Sequence, residues 1–219
     1  MVHPDPELLL HALFEAQARR TPAAVALYQG GRSITFGELE ERSARVATGL
    51  RALGIGQRST VGLHVERSIE WVIGVLGILR TEAAVMPLPP SYPAQRLQDI
   101  LSDAALDAVI DAAGSHLPGS FGVRTAGLED LLSSSAPLPG PGTRDPDQTA
   151  FVLCSSGSTG RPKMIARSHR SFFHRLQWTW EQHPYAAGEI GCQKAHATTT
   201  HGIYELFEPL LRGVPVLLI

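Results

Sequence analysis

The sequence lacks the features that mark disulfide-rich, membrane-spanning or nucleic-acid-binding chains. Its 219 residues include two cysteines, Cys154 and Cys192, which lie far apart and favour a reducing compartment over a disulfide framework. No apolar run approaches the roughly 20 residues that a transmembrane helix needs. A net charge of -2, without a basic stripe, argues against a nucleic-acid partner. We therefore expect a cytoplasmic protein with no membrane or nucleic-acid partner.

What the sequence does contain is enough apolar material for a sizeable core. Hydrophobic residues make up 43% of the chain and charged residues 18%, as in ordinary globular domains. A helical pattern comes first, and Gly30-Gly31 then separates two short strand patterns, which predicts a hairpin. From Thr35 to Asp111, helix and strand patterns alternate. This alternation predicts an α/β fold of mostly parallel sheets flanked by helices.

A polar segment rich in proline, glycine and serine, residues 133–148, divides the chain. Because such composition is typical of a surface linker, we expect a first α/β part over residues 1–132 and a second part over 149–219. The last strand pattern, residues 214–219, is uniformly apolar, as in the centre of a parallel sheet. Since the chain ends there, we expect an incomplete N-terminal portion of a longer fold. This strand would then be an exposed, aggregation-prone edge, leaving the isolated chain marginally stable.

The most informative segment is FVLCSSGSTGRPK, residues 151–163, in which an apolar strand pattern meets six small residues. Successive backbone N–H groups in such a loop form an anion-binding concavity, the hydroxyls add donors, and Lys163 adds a positive charge. The spacing excludes a Walker A loop, which needs four residues between its first glycine and Gly-Lys-Ser/Thr. The alternative is a solvated linker, which the flanking strand and the Arg-Pro-Lys ending disfavour. The segment indicates a phosphate-binding loop of another kind.

The stretch SSGSTGRPK resembles the signature loop of the adenylate-forming superfamily, which comprises acyl- and aryl-CoA synthetases, luciferases and the adenylation domains of nonribosomal peptide synthetases. Met164 stands where the family usually has glycine. Further segments are similar, in the same order, to segments of peptide-synthetase adenylation domains: 9–27, 34–56, 79–104 and 204–219. The resemblance implies the N-terminal part of a ligase, because the family's adenine-binding segment, ribose-binding aspartate, hinge and catalytic lysine are not among these residues.

The resemblance implies a two-step reaction that uses ATP and Mg²⁺. A carboxylic acid attacks the α-phosphate to give an acyl adenylate and pyrophosphate, and the acyl group then passes to the thiol of CoA or of a carrier protein's phosphopantetheine. The loop would hold the β- and γ-phosphates while charge builds on the leaving pyrophosphate. Its implied phosphate contacts are Ser155, Ser156, Gly157, Ser158, Thr159, Gly160 and Lys163. We assign no catalytic residue to this chain and expect it to be inactive alone.

One residue position narrows the chemical class of the acid that the enzyme would activate. Amino-acid-activating relatives have an aspartate four residues before the tryptophan of a Trp-Glu helix, and it pairs with the substrate ammonium. The matching helix is predicted over 204–211, which places Thr200 at the aspartate position. An unpaired buried ammonium costs roughly 3–5 kcal/mol, so we expect an acid other than an ordinary α-amino acid, or an amine held elsewhere. The predicted pocket residues are Thr200, His201 and Tyr204, with His201 suited to an acyl or aryl acid.

Two alternatives to an enzyme fragment are open. A truncated isoform would act as a non-catalytic interaction or ATP-binding module, which coding sequence beyond Ile219 would distinguish. An unrelated phosphate-binding protein such as a kinase would need a Walker A or kinase catalytic loop, and the sequence contains neither.

His196 and His201 are five positions apart, where four would place them on one helical face. We therefore predict no protein metal site, and the alternative for both histidines is a loop position without a role.

Overall fold

A computed structural model describes residues 9–112, 122–134, 145–155 and 163–219. Within these ranges the helices are α1 Leu10–Arg20, α2 Phe36–Ala52, α3 Ile69–Arg80, α4 Ala94–Asp103, α5 Leu128–Leu132, α6 His169–Gln182 and α7 Thr200–Leu210. The strands are β1 Val25–Gln29, β2 Arg32–Thr35, β3 Thr60–His64, β4 Ala84–Pro87, β5 Ala108–Asp111, β6 Arg124–Gly127, β7 Thr149–Ser155, β8 Lys163–Ser168, β9 Gly191–Gln193 and β10 Val216–Leu218. No helix in the described ranges is both long and apolar enough to cross a membrane.

The strands form two sheets that are mostly parallel. The large sheet has the order β6-β5-β3-β4-β7-β8, and its strands are parallel except for the antiparallel pair β7–β8. The small sheet has the order β2-β1-β10-β9, in which only β1 and β2 are antiparallel. With the flanking helices, this arrangement confirms the predicted α/β class.

The large sheet is covered by helices that contribute to two separate apolar clusters. Helix α3 is buried along nearly its whole length and belongs to the main core. It packs closely on α2 because Gly77 has no side chain; a Cβ there would collide with Val46. Helix α4 belongs to a smaller cluster, which consists of Met86, Leu88, Leu97, Ile100, Leu101 and Val109. This smaller cluster lies between α4 and the strands β4 and β5.

The beginning of the chain folds as its local signals predict. Gly30 and Gly31 form the hairpin turn with φ values of +52° and +81°, a left-handed conformation that glycine adopts without strain. Thr35 then begins α2 by accepting a hydrogen bond from the Glu38 backbone N–H, and the Glu38 carboxylate accepts one from the Thr35 N–H. This reciprocal pair is a capping box, which satisfies two backbone donors at the helix start.

The last strand differs in one respect from the expectation. Strand β10 lies inside the small sheet, because Val216 is in register with Leu27 of β1 on one side and with Gly191 of β9 on the other. The interpretation as a central parallel strand is confirmed, and the prediction of an exposed edge strand is wrong. The strand that covers it, β9, is only three residues long and carries no apolar pattern. Because β10 is paired on both sides, it gives no reason to expect marginal stability. Its Leu217 side chain is nevertheless 38% exposed.

The predicted linker is described only at its two ends, since residues 135–144 lie outside the described ranges. At its carboxyl end, Asp147 accepts two hydrogen bonds from the Arg170 guanidinium at 2.6 and 3.0 Å. This exposed ion pair holds the pKa of Asp147 below its usual value, chiefly through the hydrogen bonds from Arg170. It fastens the entry to β7 against α6. The division into parts 1–132 and 149–219 stays a prediction.

Candidate nucleotide and acid site

The two ends of the predicted phosphate loop are paired with each other. Strands β7 and β8 run antiparallel, with Ser155 opposite Lys163 and Cys154 opposite Met164. The Ser155 hydroxyl donates to the Lys163 carbonyl oxygen at 3.4 Å. The residues between them that we predicted as contacts, Ser156, Gly157, Ser158, Thr159 and Gly160, lie outside the described residues. The ladder therefore fixes where the loop leaves and re-enters the large sheet.

Strand β8 carries positive charge along the edge of the large sheet. Lys163 and Arg167 are both exposed and, with Ile165 between them, lie on one face, because side chains alternate along a strand. On the paired strand, burial raises the pKa of the Cys154 thiol, and the nearby positive charge of Arg96 opposes that rise. The base of the loop is thus flanked by cations from β8 and α4, which suits a polyanionic ligand.

Helix α7, which carries the predicted pocket residues, begins four residues earlier than predicted. Thr199 is the N-cap of α7, and its hydroxyl accepts a hydrogen bond from the Gly202 N–H at 3.0 Å. Thr200 and His201 are consequently the first residues of the helix and do not precede it, so the prediction of a helix over 204–211 is wrong at its start. The His201 side chain is 74% exposed, and its Nε2 lies 3.3 Å from Glu205 Oε1.

Tyr204 connects this helix to strand β7, which leads into the predicted phosphate loop, through aromatic contacts. Its ring centroid lies 5.3 Å from that of Phe172 in α6, and the Phe172 ring lies 5.2 Å from that of Phe151 in β7. Both phenylalanines are buried, while Tyr204 is half-buried. Burial raises the pKa of its phenol, and the charges of Arg167 and Arg175 oppose the rise. Of the predicted pocket residues, Tyr204 is the one with contacts that lead back to β7.

A segment that leads into the first residue of α7 is held by residues that the sequence patterns did not mark. We call residues 194–200 the acid segment, because they lead to the predicted pocket residues. The Glu205 carboxylate accepts hydrogen bonds from the backbone N–H groups of Lys194 and Ala195 at 2.9 and 2.6 Å. The Arg67 guanidinium donates to the carbonyl oxygens of the same two residues at 3.0 and 2.9 Å. Glu205 could have been found as the glutamate of the Trp-Glu pattern, whereas no signal in the sequence marks Arg67.

A cavity of about 220 Å³ adjoins the acid segment. It lies where the chain leaves β3 and β4, the carboxyl ends of two parallel strands, which is where open α/β sheets bind ligands. Its lining comes from both parts of the chain: Val65, Glu66, Arg67, Trp71, Pro89, Ser91, His196 and Ala197. Among the described residues, no group of histidine, cysteine, aspartate or glutamate is arranged to hold a metal ion.

Comparison with known proteins decides the family. Residues 14–219 match the family described as AMP-binding enzyme. The chain belongs to this family. It is similar to the AMB antimetabolite synthetase AmbB of Pseudomonas aeruginosa, with 37% identity over 209 residues that make up 94% of this chain. That relative is much longer, since this chain spans 17% of it, and other curated relatives are spanned to 3% and 40%.

Two solved structures share the fold of this chain. The N-terminal subdomain of Klebsiella oxytoca NpsA, in complex with 3-hydroxybenzoyl-AMSN, is 25% identical, with a TM-score of 0.85 over 95% of this chain and 53% of that chain. A variant of the nonribosomal peptide synthetase FmoA3 in its AMPPNP-bound form is 27% identical, with a TM-score of 0.87 over 99% of this chain and 23% of that chain. The predicted likeness to an N-terminal portion of adenylation domains is confirmed.

Proposed function

We propose that this chain is the N-terminal part of an AMP-forming ligase that activates a carboxylic acid with ATP and passes the acyl group to a thiol. The observation that carries the proposal is the match of residues 14–219 to the AMP-binding enzyme family, which includes both ends of the Ser155–Lys163 loop. The acceptor is the thiol of CoA or of a carrier protein's phosphopantetheine. The chain alone is inactive, because the family's later elements supply most of the catalytic groups.

The loop binds the outer phosphates of ATP. Ser155 and Lys163 stand at its two ends, and the five small residues Ser156, Gly157, Ser158, Thr159 and Gly160 supply hydroxyls and backbone N–H groups between them. Hydrogen bonds to charged groups contribute about 1.5–3 kcal/mol each, so three or four suffice to hold a triphosphate after the ordering cost. Mg²⁺ arrives with the nucleotide and keeps phosphate oxygens as ligands. FmoA3, which was solved with AMPPNP, supports nucleotide binding by this fold.

The loop residues stabilise charge during adenylate formation. When the acid oxygen bonds to the α-phosphorus and the bond to the bridging oxygen breaks, negative charge grows on pyrophosphate. Fixed donors already aimed at those oxygens cost no reorganisation at that moment. Lys163 is suited to this role because it is exposed at the loop's exit and held in register with Ser155. Removing Lys163 should therefore slow adenylate formation more than it weakens binding of the acid.

The acid is an acyl or aryl acid and not an ordinary α-amino acid. Thr200 offers a hydroxyl where a carboxylate would neutralise a buried ammonium, and Tyr204 adds a half-buried aromatic ring. His201, at the exposed start of α7, completes the pocket residues we assign. NpsA, a relative solved with a 3-hydroxybenzoyl analogue, supports an aryl acid. The binding partners are then a small carboxylic acid and a thiol acceptor.

The test uses the protein encoded by the complete reading frame that contains this chain. Exchange of radiolabelled pyrophosphate into ATP is measured with panels of aryl, fatty, β-amino and common α-amino acids. We expect exchange with an aryl or acyl acid and none from the 219-residue chain alone. Exchange only with common α-amino acids would contradict the assignment of the acid. Absence of acid-dependent exchange with every acid would contradict the ligase.

A further inference from the structure

Tyr92, in the turn between β4 and α4, contacts the acid segment across a long stretch of sequence. Its ring is stacked on that of His196, with centroids 6.0 Å apart and planes 4° apart. The Arg96 guanidinium carbon lies 4.7 Å from the centroid of the same tyrosine ring. A guanidinium at this distance is attracted to the ring face. The three side chains therefore form one stack that joins the turn before α4 to the segment before α7.

The hydroxyl of Tyr92 adds a directional contact. It donates to Thr198 Oγ1 at 3.2 Å, between residues 106 positions apart. Thr198 Oγ1 in turn lies 2.7 Å from His196 Nδ1, and Thr198 is buried. Ring and hydroxyl thus hold two residues of the acid segment at once. A phenol in this position limits both the distance and the rotation of the segment relative to α4.

Tyr92 contacts a part of the acid segment that Arg67 and Glu205 do not hold. Arg67 and Glu205 hold its first two residues, Lys194 and Ala195. Tyr92 acts further along, at positions 196 and 198, immediately before Thr199 caps α7 and Thr200 begins it. A displacement at residue 198 would move the cap, and with it the first turn of the helix that carries the assigned pocket residues. Tyr92 is therefore placed to determine the position of Thr200.

The same stack reaches the base of the phosphate loop. Tyr92 and Cys154 both pack against the small apolar cluster beneath α4, and the charge of Arg96 acts on the Cys154 thiol. Cys154 directly precedes Ser155, the first residue of the loop. One packed unit consequently contacts both the strand that leads to the phosphates and the segment that leads to the acid.

We propose that Tyr92 is a positioning residue that holds the acid segment in place relative to strand β7, so that the acid is presented to the α-phosphate in a productive position. The proposal rests on the proposed ligase function. Tyr92 acts through His196 and Thr198 and does not itself contact the reacting atoms. A residue that touched the acid would change acid binding directly. Tyr92 instead changes acid binding by keeping the acid segment ordered.

The kinetic test compares Tyr92→Phe and Tyr92→Ala in the protein from the complete reading frame. Tyr92→Phe removes one hydrogen bond and should raise the KM for the acid in pyrophosphate exchange about threefold to tenfold. Tyr92→Ala removes the stacked ring as well and should raise this KM further. The KM for ATP should stay within about twofold. The matched control is Tyr185→Phe, which removes a half-buried phenol 3.3 Å from Glu208 Oε1 and should leave both constants within about twofold.

A second measurement does not depend on turnover. Hydrogen–deuterium exchange of peptides that cover residues 194–200 should be faster in both Tyr92 variants than in the wild type and unchanged in Tyr185→Phe. Unchanged kinetics and unchanged exchange in the Tyr92 variants, with an active wild type, would overturn this proposal alone. Equal increases in both KM values, with a lower melting temperature, would show a general structural role and overturn it too. A wild type without acid-dependent activity would overturn the ligase and this proposal together.

Discussion

Ser155 and Lys163 stand directly opposite each other in the ladder between β7 and β8, with the serine hydroxyl 3.4 Å from the lysine carbonyl oxygen. The pairing means that the loop's first hydroxyl and its cation are placed by strand register. A slip of β8 by one residue along β7 would turn the Lys163 side chain to the other face of the sheet. The antiparallel pair β7–β8 is therefore part of the candidate site, because its register places two of the predicted phosphate contacts.

Protonation of His169 should destabilise the protein at low pH. This histidine is buried, its Nδ1 accepts a hydrogen bond from the Leu10 N–H at 3.2 Å, and the His11 ring lies 5.7 Å away. Burial lowers its pKa from 6.5 to about 3. Between these values the unfolded chain binds a proton that the folded chain does not. The free energy of unfolding should thus fall as pH decreases below 6.5, by about 1.4 kcal/mol per pH unit from this group.

Urea denaturation at pH 7, 6 and 5 checks this contribution. The variant His169→Gln keeps an acceptor for the Leu10 N–H but has no titratable ring, so its stability should depend less steeply on pH than that of the wild type. His183→Gln, which changes an exposed histidine at the end of α6, is the control and should follow the wild type. Identical pH dependence in wild type and His169→Gln would show that the expectation is wrong.

Substitution of Gly202 in α7 should be destabilising. An added Cβ would collide with the His196 carbonyl oxygen and lie 3.0 Å from that of Ala195, and neither backbone group can move without the acid segment. We expect Gly202→Ala to lower the free energy of unfolding by about 1–3 kcal/mol, despite alanine's better helix propensity. Thermal denaturation measures this. Gly56→Ala, whose Cβ would meet nothing nearer than 3.8 Å, is the control, and equal melting temperatures for the two variants would contradict the prediction.

A charge at position 200 should change the preferred acid. Thr200→Asp supplies the carboxylate that pairs with an α-ammonium, and we expect the ratio of kcat/KM for α-amino acids over aryl or acyl acids to rise at least about tenfold. Pyrophosphate exchange with the two acid classes gives this ratio. Thr200→Asn has nearly the same shape without the charge and should leave the ratio near that of the wild type. Equal ratios in both variants would remove Thr200 from the acid pocket.

Local signals in the sequence predicted the elements that local contacts form. The glycine pair at 30–31, predicted as a hairpin turn, involves neighbours only and is found in the structure. The Thr35–Glu38 capping box, which the sequence analysis did not predict, is equally local. The start of α7 was missed because HATTT has no apolar periodicity; the Thr199 hydroxyl starts the helix. Strand β9 was missed because three residues without an apolar run form a strand only through their pairing with β10.

The candidate site was predictable to the extent that it is a motif. The loop from Ser155 to Lys163 and the residues at 200, 201 and 204 were predicted from spacing and resemblance, and these roles stay predictions. The contacts that hold them were not, because Arg67 and Tyr92 act on residues up to 128 positions away. Such contacts depend on how the packed helices and strands meet, and a periodic pattern in one segment does not encode them.

Whether the loop holds the outer phosphates of ATP is measured by the rate of acid-dependent pyrophosphate exchange after Lys163→Ala in the protein from the complete reading frame. Arg19→Ala, which removes an exposed cation from α1, is the matched control. If the loop binds the outer phosphates, Lys163→Ala should lower the exchange rate at least about tenfold, as expected for loss of one charged hydrogen bond. Arg19→Ala should exchange pyrophosphate at the wild-type rate. Exchange by Lys163→Ala at the wild-type rate would show that Lys163 does not hold these phosphates.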